Sequence, residues 1–178
     1  MGVRCVVTGQ QGDGRSVIMA DEQVEPITVS LLPGLAFHRV WGSNTPPTLP
    51  SNGERPDQAG FFPPTGGYRF GFFTLGPDSV TLPEDLDFEA ALSELSTKLA
   101  GLPEAMEPDN PGMHTTDTVD LDLVISGEVW LELDDGAEVH LHAGDCVVQN
   151  GTRHAWRNRG TEPAVLFTAL LGAQREVR

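Results

Sequence analysis

Between Gly112 and Asn158 apolar and polar residues alternate in short runs, and glycines at 127, 136, 144 and 151 cut the segment into strand-sized pieces. A period of two marks half-buried β-strands, so the segment predicts a compact antiparallel barrel or sandwich. The same reading extends to the flanks. Residues 3–8 and 17–19 are β-rich runs around a GQQGDGRS turn and predict a hairpin, residues 24–32 and 35–41 predict two more strands, and YRFGFFTL at 68–75 predicts another.

Two stretches break the alternation. Residues 42–67 carry six prolines among Gly, Ser and Asn and hold no apolar period, which predicts a long loop, with Phe61 and Phe62 as the side chains able to pack back over a pocket or a partner. Downstream, Asp87 can cap FEAALSELSTKLAGL. There Phe88, Leu92, Leu95 and Leu99 recur at helical spacing, Glu89 lies in the first turn, Lys98 near the last, and Gly101 can end the helix. This predicts one amphipathic helix over 87–101 on the barrel surface, either as packing or as a lid. Residues 103–111 form an acidic, proline-bearing linker.

Length changes the picture only by limiting it: 178 residues bury one sizeable core, and a single domain with elaborations is expected. Acidic residues outnumber basic ones 26 to 11, a net charge of −15, which speaks against nucleic acid or an anionic membrane as partner and for a metal cation or small organic substrate. No secretory signal is read at MGVRCVVTG and no apolar run reaches membrane-spanning length, so a cytoplasmic location is expected. Cys5 and Cys146 read as buried free thiols in strands. The GDG at 12–14 is turn chemistry with no dinucleotide fingerprint after it, and no nucleotide cofactor is expected.

The chemistry lies in strand parity. His114, Thr116, Thr118 and Asp120 share one face of an extended segment, and His154, Trp156 and Asn158 share one face of the return. Asp122 has the parity of Asp120. Polar groups aimed inward need partners, so such a row points to a ligand, a metal or an internal hydrogen-bond network. If the two segments face each other, His114, Asp120 and His154 converge as two histidines and a carboxylate, the make-up of a facial triad with open positions on a divalent metal. Without a metal, one histidine would serve as general acid or base, because its unperturbed pKa of about 6.5 lies near neutrality. Activity would then rise through a single ionisation near pH 7. Gln149 could reach the pocket mouth and Trp156 could wall it. His38 reads as a satisfied or exposed strand histidine, His140 and His142 as solvent-facing opposite an apolar row, Trp130 as an outer-face residue, and Glu128, Glu132, Asp134 and Asp135 as a solvated acidic edge.

The two halves of this region resemble the cupin superfamily. Its first motif is matched by His114-x-Thr116, three residues, Asp120, six residues and Gly127; its second by Gly144, then Gln149-Asn150-Gly151-Thr152, His154 and Asn158. More narrowly, GMHTTDTVD, VISGEVWLELDDG and VVQNGTRHAWRN look like a group of small single-domain bacterial cupins. The resemblance implies an all-β double-stranded β-helix, a jelly-roll barrel with extra N-terminal strands and one inserted surface helix. It divides one cupin domain over 1–178 into N-terminal strands and loop (1–65), a barrel (66–172) with a helical insert (87–101), and a tail (173–178), and it implies a homodimer. It also implies a small-molecule enzyme working inside the barrel, a dioxygenase or a dehydratase-like lyase or isomerase. His114 and His154 would be catalytic; Thr116, Gln149 and Trp156 would bind substrate; His114, Asp120 and His154 would hold one divalent Fe, Mn, Ni or Zn. The other class is a metal-free cupin that binds a small molecule, or only supports structure, without catalysis. Thr116 stands where the family has a histidine, and Asp120 where it has the longer glutamate.

Overall fold

Strands carry the architecture of the computed structural model, which describes residues 2–176. In chain order they are β1 (Val3–Gln10), β2 (Ser16–Val24), β3 (Ala36–Ser43), β4 (Tyr68–Leu75), β5 (Thr118–Ser126), β6 (Glu128–Glu132), β7 (Glu138–His142), β8 (Cys146–Asn150), β9 (Ala155–Arg157) and β10 (Ala164–Gly172), with helices α1 (Phe88–Lys98) and α2 (Leu102–Ala105) between β4 and β5. β1 and β2 form the expected hairpin, longer than the apolar runs alone implied. A five-stranded antiparallel sheet runs β3-β4-β10-β5-β8, and a three-stranded sheet runs β7-β6-β9. The chain is an all-β, antiparallel jelly roll with few helices. No helix among the described residues is long and apolar enough to cross a membrane.

The two larger sheets meet through one apolar layer. Val124, Val129, Leu131, Leu141, Ala164 and Leu166 are buried there, supplied by alternate positions of β5, β6, β7 and β10. Gly127 makes the tight turn from β5 into β6 with φ 76°, and a Cβ there would come within 2.8 Å of the Ala164 backbone. A second cluster of Val29, Leu95, Leu99 and Leu102 seats the helices against the sheet, with Phe37 and Phe61 against it.

The helix forms for the reasons read in sequence: Asp87 Oδ1 accepts from the Ala90 amide at 3.0 Å, and Gly101 takes the left-handed conformation that follows its end. Its apolar stripe is only half used. Leu95 and Leu99 are buried, whereas Phe88 and Leu92 are 61% and 45% exposed. Glu94 accepts from the Ser30 amide at 2.9 Å and Lys98 donates to the Thr28 carbonyl at 3.0 Å, so the helix is fastened to the segment before β3.

Two expectations are corrected. Residues 25–32 form no strand beyond a single bridge of Ile27 to Phe37, because Pro26 offers no amide and the Ser30 and Leu32 amides go to Glu94 and to a local turn. Cys146 is exposed, not buried, because Val147 takes the inward position of β8; Cys5 is half-buried. The long loop 42–67 is tied down by arginines: Arg69 donates to the Ser43 and Ala59 carbonyls at 2.8 and 3.0 Å, and Arg39 donates to the Gly60 carbonyl.

Candidate functional site

β5 is inverted relative to an ordinary half-buried strand. Its inward residues Thr118, Asp120 and Asp122 are polar and its outward residues Val119 and Leu121 are apolar and exposed. Asp122 is therefore inward, as its parity allowed. These carboxyls open onto a cavity of about 610 Å³ between the sheets, with walls that are mainly aromatic and aliphatic. Phe37, Phe61, Phe62, Phe73 and Trp156 supply much of that surface. Phe61 meets Phe37 edge to face at 5.2 Å, so the proline-rich loop does pack back as a wall of the cavity.

His114 and His154 stand together on that wall. They form an isolated antiparallel bridge, with amide-to-carbonyl distances of 2.9 and 3.0 Å, and their rings are 4.2 Å apart between centroids. Each ring turns its Nδ1 to a backbone carbonyl, His114 to Gly112 at 3.0 Å and His154 to Thr152 at 2.9 Å. A carbonyl only accepts, so Nδ1 carries the proton and Nε2 holds the free lone pair. Burial disfavours the imidazolium in both: His114 is pushed down, and His154 is pushed down to about 4 by burial and then by the neighbouring His114.

The carboxyls move the opposite way. Burial first, and Asp122 second, push Asp120 up to about 7 against a lowering bond from Thr118; burial pushes Asp122 up to about 6 against a bond from Thr168. Asp120 Oδ1 is buried with no hydrogen-bond partner. Asp120 is thus pushed toward neutrality while His114 and His154 are pushed below the ordinary histidine value, opposed shifts with one main cause, the cost of charge in a buried site.

The predicted site residues divide accordingly. His114, His154, Asp120 and Trp156 line the cavity. Thr116 and Gln149 do not: Thr116 is buried against Thr118 Oγ1 at 2.9 Å, and Gln149 Oε1 accepts from Thr152 at 2.6 Å. The predicted metal triad is also not assembled. Among the described residues, Glu128, His140 and His142 are the group of three whose ligand atoms all lie within 4.8 Å of one another, and His114, Asp120 and His154 do not meet that distance. The ladder sets His114 opposite His154 and Asp120 opposite Gln149. The two imidazoles suit a divalent cation, while the three ligand atoms of His114, Asp120 and His154 are not all within 4.8 Å of one another.

Three cavity residues escaped the sequence reading. His38 is buried and lines the cavity, where its strand parity had left it open between a satisfied and an exposed role. Glu107 and Arg157 reach its rim from positions that carry no periodic signal. Arg153 grips Glu107 through two bonds of 2.6 and 2.7 Å, and Arg157 donates to the Pro111 carbonyl at 2.6 Å, so the linker that delivers His114 is clamped at both ends.

Residues 105–170 match the family model described as Cupin domain. Over 100 residues the chain is 35% identical to the Phomopsin biosynthesis cluster protein D of Diaporthe leptostromiformis, covering 49% of this chain and 53% of the relative. Over 99 residues it is 34% identical to the Oryzines biosynthesis cluster protein J of Aspergillus oryzae, covering 48% and 53%. The chain spans about half the length of the curated relatives it matches. Among solved structures it is similar to a Cupin 2 conserved barrel domain protein from Salinispora arenicola CNS-205, with a TM-score of 0.42 and 15% identity over 85% of this chain and 90% of that one.

Proposed function

We propose that this chain, whose residues 105–170 match the Cupin domain model, is a small-molecule lyase or isomerase that works by proton transfer inside the barrel, without a metal held by His114, Asp120 and His154. One observation carries the reading: Asp120 presents a buried oxygen with no partner to the same cavity that the His114–His154 pair lines. A carboxyl with a pKa of about 7 and an imidazole with one of about 4 coexist as acid and base across the pH range between those values. His154, its Nδ1 proton fixed on Thr152, accepts a proton from the substrate at Nε2; Asp120 in its protonated form donates one to another atom. His114 keeps its neighbour neutral and in place.

The walls select the substrate. A cavity of this size and lining takes a molecule with an apolar or aromatic body and one polar, enolisable end. Similarity to proteins named for phomopsin and oryzine biosynthesis clusters supports a role in small-molecule metabolism. The test is solvent exchange: aryl-substituted carbonyl compounds with acidic α-protons are incubated in D₂O and followed by proton NMR. Wild-type protein speeds exchange, and Asp120→Asn and His154→Gln each slow it by about 100-fold or more. A compound that binds and raises the melting temperature but exchanges no faster than without protein assigns the cavity to binding alone.

A further inference from the structure

The outer face of the β6–β7 hairpin carries a second constellation, on the opposite side of the sheet from the core. Val129, Leu131 and Leu141 point inward; Glu128, Trp130, His140 and His142 alternate with them and point out. The antiparallel register sets Glu128 directly opposite His142 and Trp130 directly opposite His140. One carboxylate oxygen therefore reaches both rings: Glu128 Oε2 lies 2.8 Å from His140 Nε2 and 3.9 Å from His142 Nε2.

We propose that Glu128, His140 and His142 bind one divalent transition-metal ion of the zinc, cobalt or nickel class on the outside of the barrel, apart from the cavity. Three N and O donors within 4.8 Å of one another, on two hydrogen-bonded strands, need only small side-chain rotations to close on an ion at about 2.0–2.2 Å from each. Two imidazoles with one carboxylate are borderline-soft donors, which favour these ions over magnesium or calcium. The metal takes the place of the proton that His140 Nε2 shares with Glu128, and a neutral ring then holds its proton at Nδ1. Water fills the remaining positions, because all three side chains reach solvent.

The surroundings hold the donors in place. Trp130 stacks flat on His140, 3.9 Å between centroids with an 8° tilt, and limits its rotation. Asp145 accepts from the His142 amide at 2.8 Å, and the same oxygen lies 4.0 Å from His142 Nδ1, where a slight turn of the ring makes the bond that directs Nε2 toward a metal. Arg159, over the Trp130 ring, is engaged by Glu138. The net charge of −15 adds a field that attracts cations.

The experiment titrates metal-stripped full-length protein with Zn²⁺ by calorimetry and with Co²⁺ by visible absorption. One ion binds per chain in the wild type and in His154→Ala. His142→Ala and His140→Ala each weaken binding by about 100-fold or more, and Asp145→Asn by about 10-fold. The His140, His142 and Asp145 variants change exposed side chains, and circular dichroism checks the fold of these and of the buried His154→Ala. Binding that survives the His140→Ala, His142→Ala double substitution, that disappears in His154→Ala, or that is no tighter than about 1 mM in the wild type overturns the assignment. None of these outcomes bears on proton exchange in the cavity, so the two readings fail separately.

Discussion

His114 and His154 exchange both backbone hydrogen bonds, at 2.9 and 3.0 Å, so that two imidazoles meet ring to ring at the cavity wall. Burial disfavours the charged form of both rings, and repulsion by His114 adds to it at His154, so both are pushed below the ordinary histidine value.

Stability against pH follows from the opposed shifts. Asp120, at about 7 when folded against about 3.9 when unfolded, keeps a proton the unfolded chain has lost, so its contribution falls as pH rises from about 4 to 7. His154, at about 4 when folded against about 6.5 when unfolded, fails to take up a proton the unfolded chain binds, so its contribution falls as pH drops from about 6.5 to 4. The two partly cancel in the wild type. In urea denaturation, the stability of Asp120→Asn relative to wild type should rise from pH 4 to 7, and that of His154→Gln relative to wild type should fall from pH 4 to 6.5, each by on the order of 2 kcal/mol.

Turnover on any substrate of the cavity should follow a bell. It needs His154 neutral and Asp120 protonated, so it declines below about pH 4 and above about pH 7. A pH–rate profile rising through pH 7 would instead identify a histidine or an ionised Asp120 as the sole base.

Gly172 joins the proline-rich loop to β10. Its amide donates to the Gly67 carbonyl at 2.8 Å, its carbonyl accepts from Gly66 at 2.9 Å, and a Cβ at this position would overlap the Pro64 carbonyl oxygen. Gly172→Ala should cost about 1–3 kcal/mol in chemical denaturation. Because Phe61 and Phe62 hang from the same loop, fluorescence of a bound hydrophobic dye should also change.

Leu95 decides whether α1 is packing or a lid. It is buried among Val29, Leu99 and Leu102 and also lines the cavity. Leu95→Ala should destabilise the protein by about 2–4 kcal/mol. Amide exchange in α1 should then quicken together with that of the sheet; rapid exchange confined to α1 in the wild type would mark it as a lid.

Local rules were enough for much of this molecule. Asp87 as a helix cap, Gly127 as a turn, the hairpin and the inward row of β5 all follow from spacing and side-chain chemistry, because each depends on neighbours within a few residues. The motif residues His114, Asp120, His154 and Trp156 were legible in the same way, and they do line one cavity. Which of them touch was not legible. That depends on ladder register, which sets His114 against His154 and Asp120 against Gln149. Register also gathers Glu128, His140 and His142, residues that spacing alone marked as solvent-facing.

The sequence by itself determined most of the strands, the longer helix and the faces on which polar residues lie, since a period of two or of 3.6 is a property of the chain. The tertiary structure decided which faces meet, how deeply their polar groups are buried, and therefore which way their pKa values move. Desolvation depends on everything packed around a side chain, and that is why Asp120 is pushed up to about 7 while His114 and His154 are pushed down.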